Sequence, residues 1–196
     1  MNALTPRDLI PHDDYERIRE SFRSRIIALK HRRRISVGDK VTLVFENRDT
    51  IQFQIQEMIR VEHIVDPVKI QDELDVYNAL LPNAEELSAT LLIEITEGGK
   101  IKEDLDAFQG IDRGETVALR LGSEVAYGRF EAGHSKDDKV SAVHFVRFPL
   151  SRGFGEALRK GEGAASIQVT HPNYRAEVQV PQAMVEEWRA DVARRD

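Results

Sequence analysis

The sequence predicts an α+β fold: a mostly antiparallel sheet of about seven or eight strands, with an N-terminal amphipathic helix, a middle helix and a C-terminal helix. Three observations carry the prediction. Apolar residues recur at helical spacing over residues 14–33, 67–81 and 181–192. Period-two alternation recurs through residues 41–61, 88–96, 116–130 and 166–180, and residues 140–148 form a short run apolar on both faces. No repeat and no Pro- or Gly-rich linker divides the 196 residues, so one domain is expected over 1–196.

Residues 1–12, with Pro6 and Pro11, read as an irregular lead-in. Asp13 or Asp14 can cap the first helix, whose stripe is Tyr15, Ile18, Phe22, Ile26 and Leu29, widened by Ile27. It ends at Arg32–Arg33–Arg34, and Ser36–Asp39 turns the chain. Val41–His63 then reads as a hairpin. Val41, Leu43 and Phe45 face one side, as do Ile51, Phe53, Ile55, Ile59 and Val61. Because a one-residue slip flips a whole face, a three-residue loop at Asn47–Arg48–Asp49 pairs Phe45 with Ile51, Leu43 with Phe53 and Val41 with Ile55. A five-residue loop keeps the same parity.

Asp66–Pro67 is a helix start, a capping Asp before Pro at the first helical position. Ile70, Leu74, Tyr77 and Leu81 follow before Pro82. A strand over Ser88–Thr96, a turn at Glu97–Gly98–Gly99 and a short helix carrying Ile101, Leu105 and Phe108 come next. Strands over 116–121 and 124–130 lead to a polar loop at 132–139. Val140–Phe148 is apolar on both faces, as in a central strand. Residues 151–161 hold a short helix. Ser166–Thr170 and Arg175–Val180 form a second hairpin, Ile167 opposite Val178 and Val169 opposite Ala176. Pro181 begins the last helix, which carries Met184, Val185, Trp188 and Val192.

Composition bounds the chemistry. With 41% hydrophobic and 32% charged residues, the chain reads as a globular protein on the charged side. It has no cysteine, which excludes disulfides, thiolate metal sites and cysteine nucleophiles. No apolar run is long enough to cross a bilayer, and residues 1–7 lack the apolar core of a signal peptide, so a cytoplasmic protein without membrane partners is expected. The formal net charge is −6, but it is uneven. Residues 17–34 carry eight basic residues against the single acid Glu20, while residues 57–115 carry fifteen acids against five basic residues. The basic run is a solvated helix face or a patch for an anionic partner, nucleic acid through Arg23–Arg34 included.

Nothing in the sequence names a cofactor or a reaction. There is no Walker loop, no G-x-G-x-x-G, no G-x-S-x-G and no H-E-x-x-H. Two features of the 41–63 stretch stand out. Gln52, Gln54, Gln56, Arg60 and Glu62 form a polar row, a solvated face or a platform for a protein partner or a second protomer. Glu57 falls on the apolar face, where a carboxylate is costly unless paired. A bulge, an ion pair with an arginine of the preceding helix, and a functional carboxylate each account for it. A metal site built from Glu57, His63 and His144 is the alternative chemical reading. The candidate binding residues are therefore Arg32, Arg33, Arg34, Arg48, Gln52, Gln54, Gln56, Glu57 and Arg60.

Arg32–Asp39, Leu43–Arg48, Phe53–Arg60, Gly128–Glu131 and Val143–Phe148 resemble an uncharacterised bacterial family of cysteine-poor proteins of about this length. The resemblance covers nearly the whole chain. Family genes near rubrerythrin and an iron–sulphur oxidoreductase imply an accessory role in peroxide or redox metabolism. The resemblance supplies no catalytic residues. The reading is thus an accessory or interaction protein, with a Glu/His enzyme or anion- or metal-binding protein and a nucleic-acid binder as rivals.

Overall fold

The computed structural model describes residues 2–95, 101–131 and 140–193. The turn expected at 97–99 and the polar loop expected at 132–139 lie outside them. In chain order the elements are α1 (His12–Arg33), β1 (Arg34–Val37), β2 (Val41–Glu46), α2 (Arg48–Val61), α3 (Pro67–Asn78), β3 (Glu86–Ile93), α4 (Ile101–Asp106), β4 (Val117–Leu121), β5 (Glu124–Tyr127), β6 (Arg129–Phe130), β7 (Val143–Pro149), α5 (Arg152–Lys160), β8 (Ala165–His171), β9 (Tyr174–Gln179) and α6 (Gln182–Ala193). The α+β class holds, with nine strands among the described residues, in two antiparallel sheets ordered β1-β2-β3-β7-β6 and β5-β4-β8-β9.

Both sheets feed one apolar core. Leu43, Phe45, Leu91 and Phe148 enter it from the first sheet, and Leu119, Ile167 and Val169 from the second. Trp188 of α6 is fully buried there, its ring 4.8 Å from that of Phe45. The chain passes between the sheets at Gly128, between β5 and β6. A Cβ there would come within 2.7 Å of Val146 and 3.2 Å of the Val117 carbonyl, so only glycine lets the strands approach this closely.

Most expected elements form. The Asp66 side chain accepts from the Val68 N–H at 2.9 Å and starts α3 as predicted. The β8–β9 hairpin has the expected register, Ile167 opposite Val178 and Val169 opposite Ala176. β7 is paired on both sides, by β3 and β6.

The Val41–His63 hairpin does not form. β2 pairs with β1 and β3, placing Val41 opposite Ile93, Leu43 opposite Leu91 and Phe45 opposite Ala89. Residues 48–61 are helical. The turn expected at Asn47–Asp49 is instead a helix cap. The Asn47 side chain accepts from the Thr50 N–H at 3.0 Å, and the Thr50 hydroxyl accepts from the Asn47 N–H at 2.9 Å. Ile51, Ile55 and Ile59 sit four residues apart, which satisfies a helix as well as a strand. All three are buried with Leu74, Leu80 and Leu81. Arg34–Val37, expected to lead into a turn, adds the edge strand β1.

A polar ridge on α2

Three faces of α2 have different neighbours. Ile51, Ile55 and Ile59 pack toward α3. Phe53 and Glu57 turn to α1, where Phe53 stacks on Phe22 at 6.0 Å. Between these faces Arg48, Gln52, Gln56 and Arg60 follow one another at four-residue spacing. They form a ridge roughly 18 Å long at 1.5 Å rise per residue.

That ridge follows the lead-in. Arg48 Nη2 lies 2.6 Å from Asp8 Oδ1. Gln52 Nε2 donates to the Asp8 carbonyl at 2.6 Å. Gln56 holds both main-chain groups of Ile10: the Ile10 N–H donates to Oε1 and Nε2 donates to the Ile10 carbonyl, each at 2.9 Å. At the end of α3, Asn78 does the same for Leu4, at 2.7 and 2.8 Å. A primary amide used this way reproduces the pair of bonds that an adjacent antiparallel strand exchanges with one residue. The Leu4 side chain is 2% exposed, buried among Ile51, Leu74 and Leu80. Between the two grips the chain makes a 3-10 turn at Pro6–Asp8, with Asp8 Oδ2 accepting from the Thr5 N–H and hydroxyl at 2.8 Å. The Arg48 hydrogen bond, then those from Thr5, hold the Asp8 carboxyl down at about 2.

Glu57 is neither bulged nor facing the apolar core. Arg19 of α1 grips it through Nε at 2.8 Å and Nη2 at 2.7 Å, the Tyr15 hydroxyl donates at 2.7 Å, and Arg60 Nε lies 3.4 Å away. The Arg19 bonds outweigh desolvation and, with Tyr15, hold its carboxyl at about 2. Burial, then the Glu57 hydrogen bond, pushes the Tyr15 phenol up. Of the readings of Glu57 open in the sequence, the ion pair with the preceding helix is the one that the geometry satisfies.

The other candidate residues lie elsewhere. Gln54 turns to Glu46, a buried carboxylate that also accepts from Thr50 at 2.6 Å and Thr90 at 2.8 Å. Arg32 pairs with Glu187 of α6 at 2.8 Å, and Arg34 pairs with Glu94. Arg33 is fully buried and donates to the Phe45 carbonyl at 2.8 Å, with Asp191 and Glu187 as its acids. Glu57, His63 and His144 form no metal-holding group. His63 is exposed just past α2, and His144 is buried on β7 with Nε2 2.8 Å from the Ser141 carbonyl. Among the described residues no cluster of three or more His, Asp or Glu could hold an ion. A cleft of about 550 Å³ opens between α1, α6 and the start of α2. Its charged lining is Arg25 and Arg32 with Asp49, Glu186 and Glu187, and Arg32 already pairs with Glu187 at 2.8 Å.

Leu4, Asp8, Arg19 and Asn78 were absent from the sequence candidates. Asp8 and Leu4 sit in a segment with no periodicity, and the Asn78–Leu4 contact spans 74 positions. Arg19 was visible only in general terms, as one arginine of the preceding helix.

A family model described as "Protein of unknown function (DUF3501)" matches residues 3–192. The chain belongs to this family. The whole ridge and the segment it holds lie within the matched DUF3501 span. A crystal structure described as a novel protein of unknown function from Burkholderia pseudomallei K96243 is 33% identical to this chain. It covers 97% of this chain and 100% of its own, with a TM-score of 0.89. No curated protein matches the chain.

Proposed function

We propose that this DUF3501 chain is a cytoplasmic accessory protein whose α2–α3 face binds extended polypeptide. One observation carries the reading: Gln56 and Asn78 each satisfy both main-chain groups of a single residue, a form of recognition built for backbone. Here residues 4–10 of the same chain occupy the face. Their docking is close to balance. Five main-chain bonds contribute about 1 kcal/mol each, Leu4 burial about 2, the half-buried Leu9 and Ile10 about 1 apiece, and the Asp8–Arg48 pair under about 1. Ordering seven residues costs about 1 to 1.5 kcal/mol apiece. A segment held so lightly can yield its place to another.

The rival readings draw less support. Arg19, Arg32, Arg33 and Arg34 each answer an acid of the chain itself, which takes much of the basic run away from an external anion. The Glu57 carboxylate is already engaged by Arg19, Tyr15 and Arg60.

The test uses a full-length variant whose own segment is loosened, Leu4→Asp with Asp8→Lys, and a fluorescent peptide of residues 2–12. Saturable binding with a Kd on the order of 10–100 μM is expected. It should be lost when Gln56→Ala and Asn78→Ala are added. A loosened variant that keeps its native circular dichroism yet takes no peptide up to about 1 mM rules the reading out.

A further inference from the structure

We infer that the face selects a partner segment with the pattern apolar–x–x–x–acidic–apolar–apolar, and that residues 4–10 guard it as a built-in competitor. The inference rests on the polypeptide-binding reading above and adds what the bound side chains must be.

Each position follows from a contact. The first residue, Leu4 here, is gripped by Asn78 and sends its side chain into the cluster of Ile51, Leu74, Leu80 and Leu81. A polar side chain there would be buried without a partner. Four residues on, Asp8 meets Arg48 at 2.6 Å while Gln52 takes its carbonyl. A lysine at this place would face Arg48 with like charge. Leu9 then packs half-buried against the cluster that takes Leu4, and Ile10 is gripped by Gln56 and packs against the group of Tyr15, Phe22 and Ile26. Thr5, Pro6 and Arg7 are exposed, so their side chains are read weakly. Arg48 is the ridge's one arginine that meets the segment, since Arg60 is already paired with Glu16 and Glu57.

The occupant favoured is a segment of a different protein. A second copy brings the same contacts without the tether, so it loses to the chain's own segment below the effective concentration of a short linker, roughly millimolar. A foreign segment wins by improving on positions where the resident one is poor. Leu9 and Ile10, each only half-buried against the cluster it packs on, are such positions.

The experiment measures four peptides by fluorescence anisotropy: residues 2–12 as they stand, and the same with Leu4→Asp, Asp8→Lys or Arg7→Ala. Each is titrated into the native chain and into the loosened full-length variant. If Leu4→Asp prevents folding, the Asp8→Lys single variant serves in its place. On the loosened protein, Leu4→Asp and Asp8→Lys should weaken binding by about tenfold or more, and Arg7→Ala by less than about twofold. The native chain should bind the parent peptide at least about tenfold more weakly than the loosened one. Equal affinities for all four peptides overturn the pattern while leaving main-chain binding intact. Equal binding by native and loosened protein overturns the competitor. Light scattering that finds the native chain dimeric through exchange of residues 4–10 assigns the face to a second copy and overturns the foreign partner. Failure of the parent peptide to bind at all removes the underlying reading as well.

Discussion

Arg19 and Glu57 join α1 to α2 through two parallel bonds, from Nε at 2.8 Å and from Nη2 at 2.7 Å. This bidentate geometry is the strong form of the pair, and Tyr15 adds a third donor to the same carboxylate. Glu57→Ala should therefore lower the unfolding free energy by about 1–3 kcal/mol, read from urea melts. Arg19→Ala should cost less, because Tyr15 and Arg60 still answer the carboxylate. The double variant should be less destabilised than the sum of the two.

Acid should weaken the same region. Glu57 and Asp8 both have folded-state values near 2, below ordinary values of 4.5 and 3.8. Their stabilisation is fully present above those ordinary values and is lost as pH falls from there toward 2. Urea midpoints should drop across that window, and Glu57→Gln should flatten part of the fall. An unchanged slope in Glu57→Gln would mean that the carboxylate contributes nothing to acid sensitivity.

Arg33 should be intolerant of truncation. It is fully buried, and Asp191, its acid on α6, has a side chain only 2% exposed. Arg33→Ala removes the hydrogen bonds that the guanidinium gives to that carboxylate and to the Phe45 and Glu46 carbonyls and should cost about 3–5 kcal/mol in calorimetry. Adding Asp191→Ala should recover part of the loss.

Gly38 should resist substitution for two reasons. Its φ is +78°, and a Cβ there would run into the Tyr174 hydroxyl. That hydroxyl donates to the Val37 carbonyl at 2.7 Å and accepts from the Lys40 N–H at 3.1 Å, so it ties β9 to the β1–β2 turn. Gly38→Ala should cost about 2 kcal/mol or more, and less when Tyr174→Phe is already present.

The lead-in should loosen without global unfolding. In Gln56→Ala the Ile10 amide loses its acceptor, and in Asn78→Ala the Leu4 amide does. Hydrogen exchange at each should quicken by about tenfold in its own variant, while core strand amides stay protected.

The sequence exposed those elements whose periodicity allows one reading. α1, α3 and α6 have three-and-four spacing, and the β8–β9 pairing follows from alternation around a His-Pro-Asn-Tyr turn. α2 defeated it because Ile51, Ile55 and Ile59 obey both periods at once. The misfit was itself the signal. Glu57 interrupts a strand face but lies naturally off the apolar stripe of a helix. The ridge was half visible: Gln52, Gln56 and Arg60 stand out in the sequence as members of a strand row, and Arg48 only as a turn residue. What they hold could not be read, because Ile10 lies 46 positions from Gln56 and nothing local marks the pair.

Arg33 has one more consequence. It links the end of the first helix to a strand and to a residue 158 positions later in the chain. Phe45 likewise awaits the indole of Trp188. During translation the early strands thus emerge with their apolar face open, and the core cannot seal until the ribosome has released α6. A nascent chain stalled before that point should engage holding chaperones, and a completed one should not.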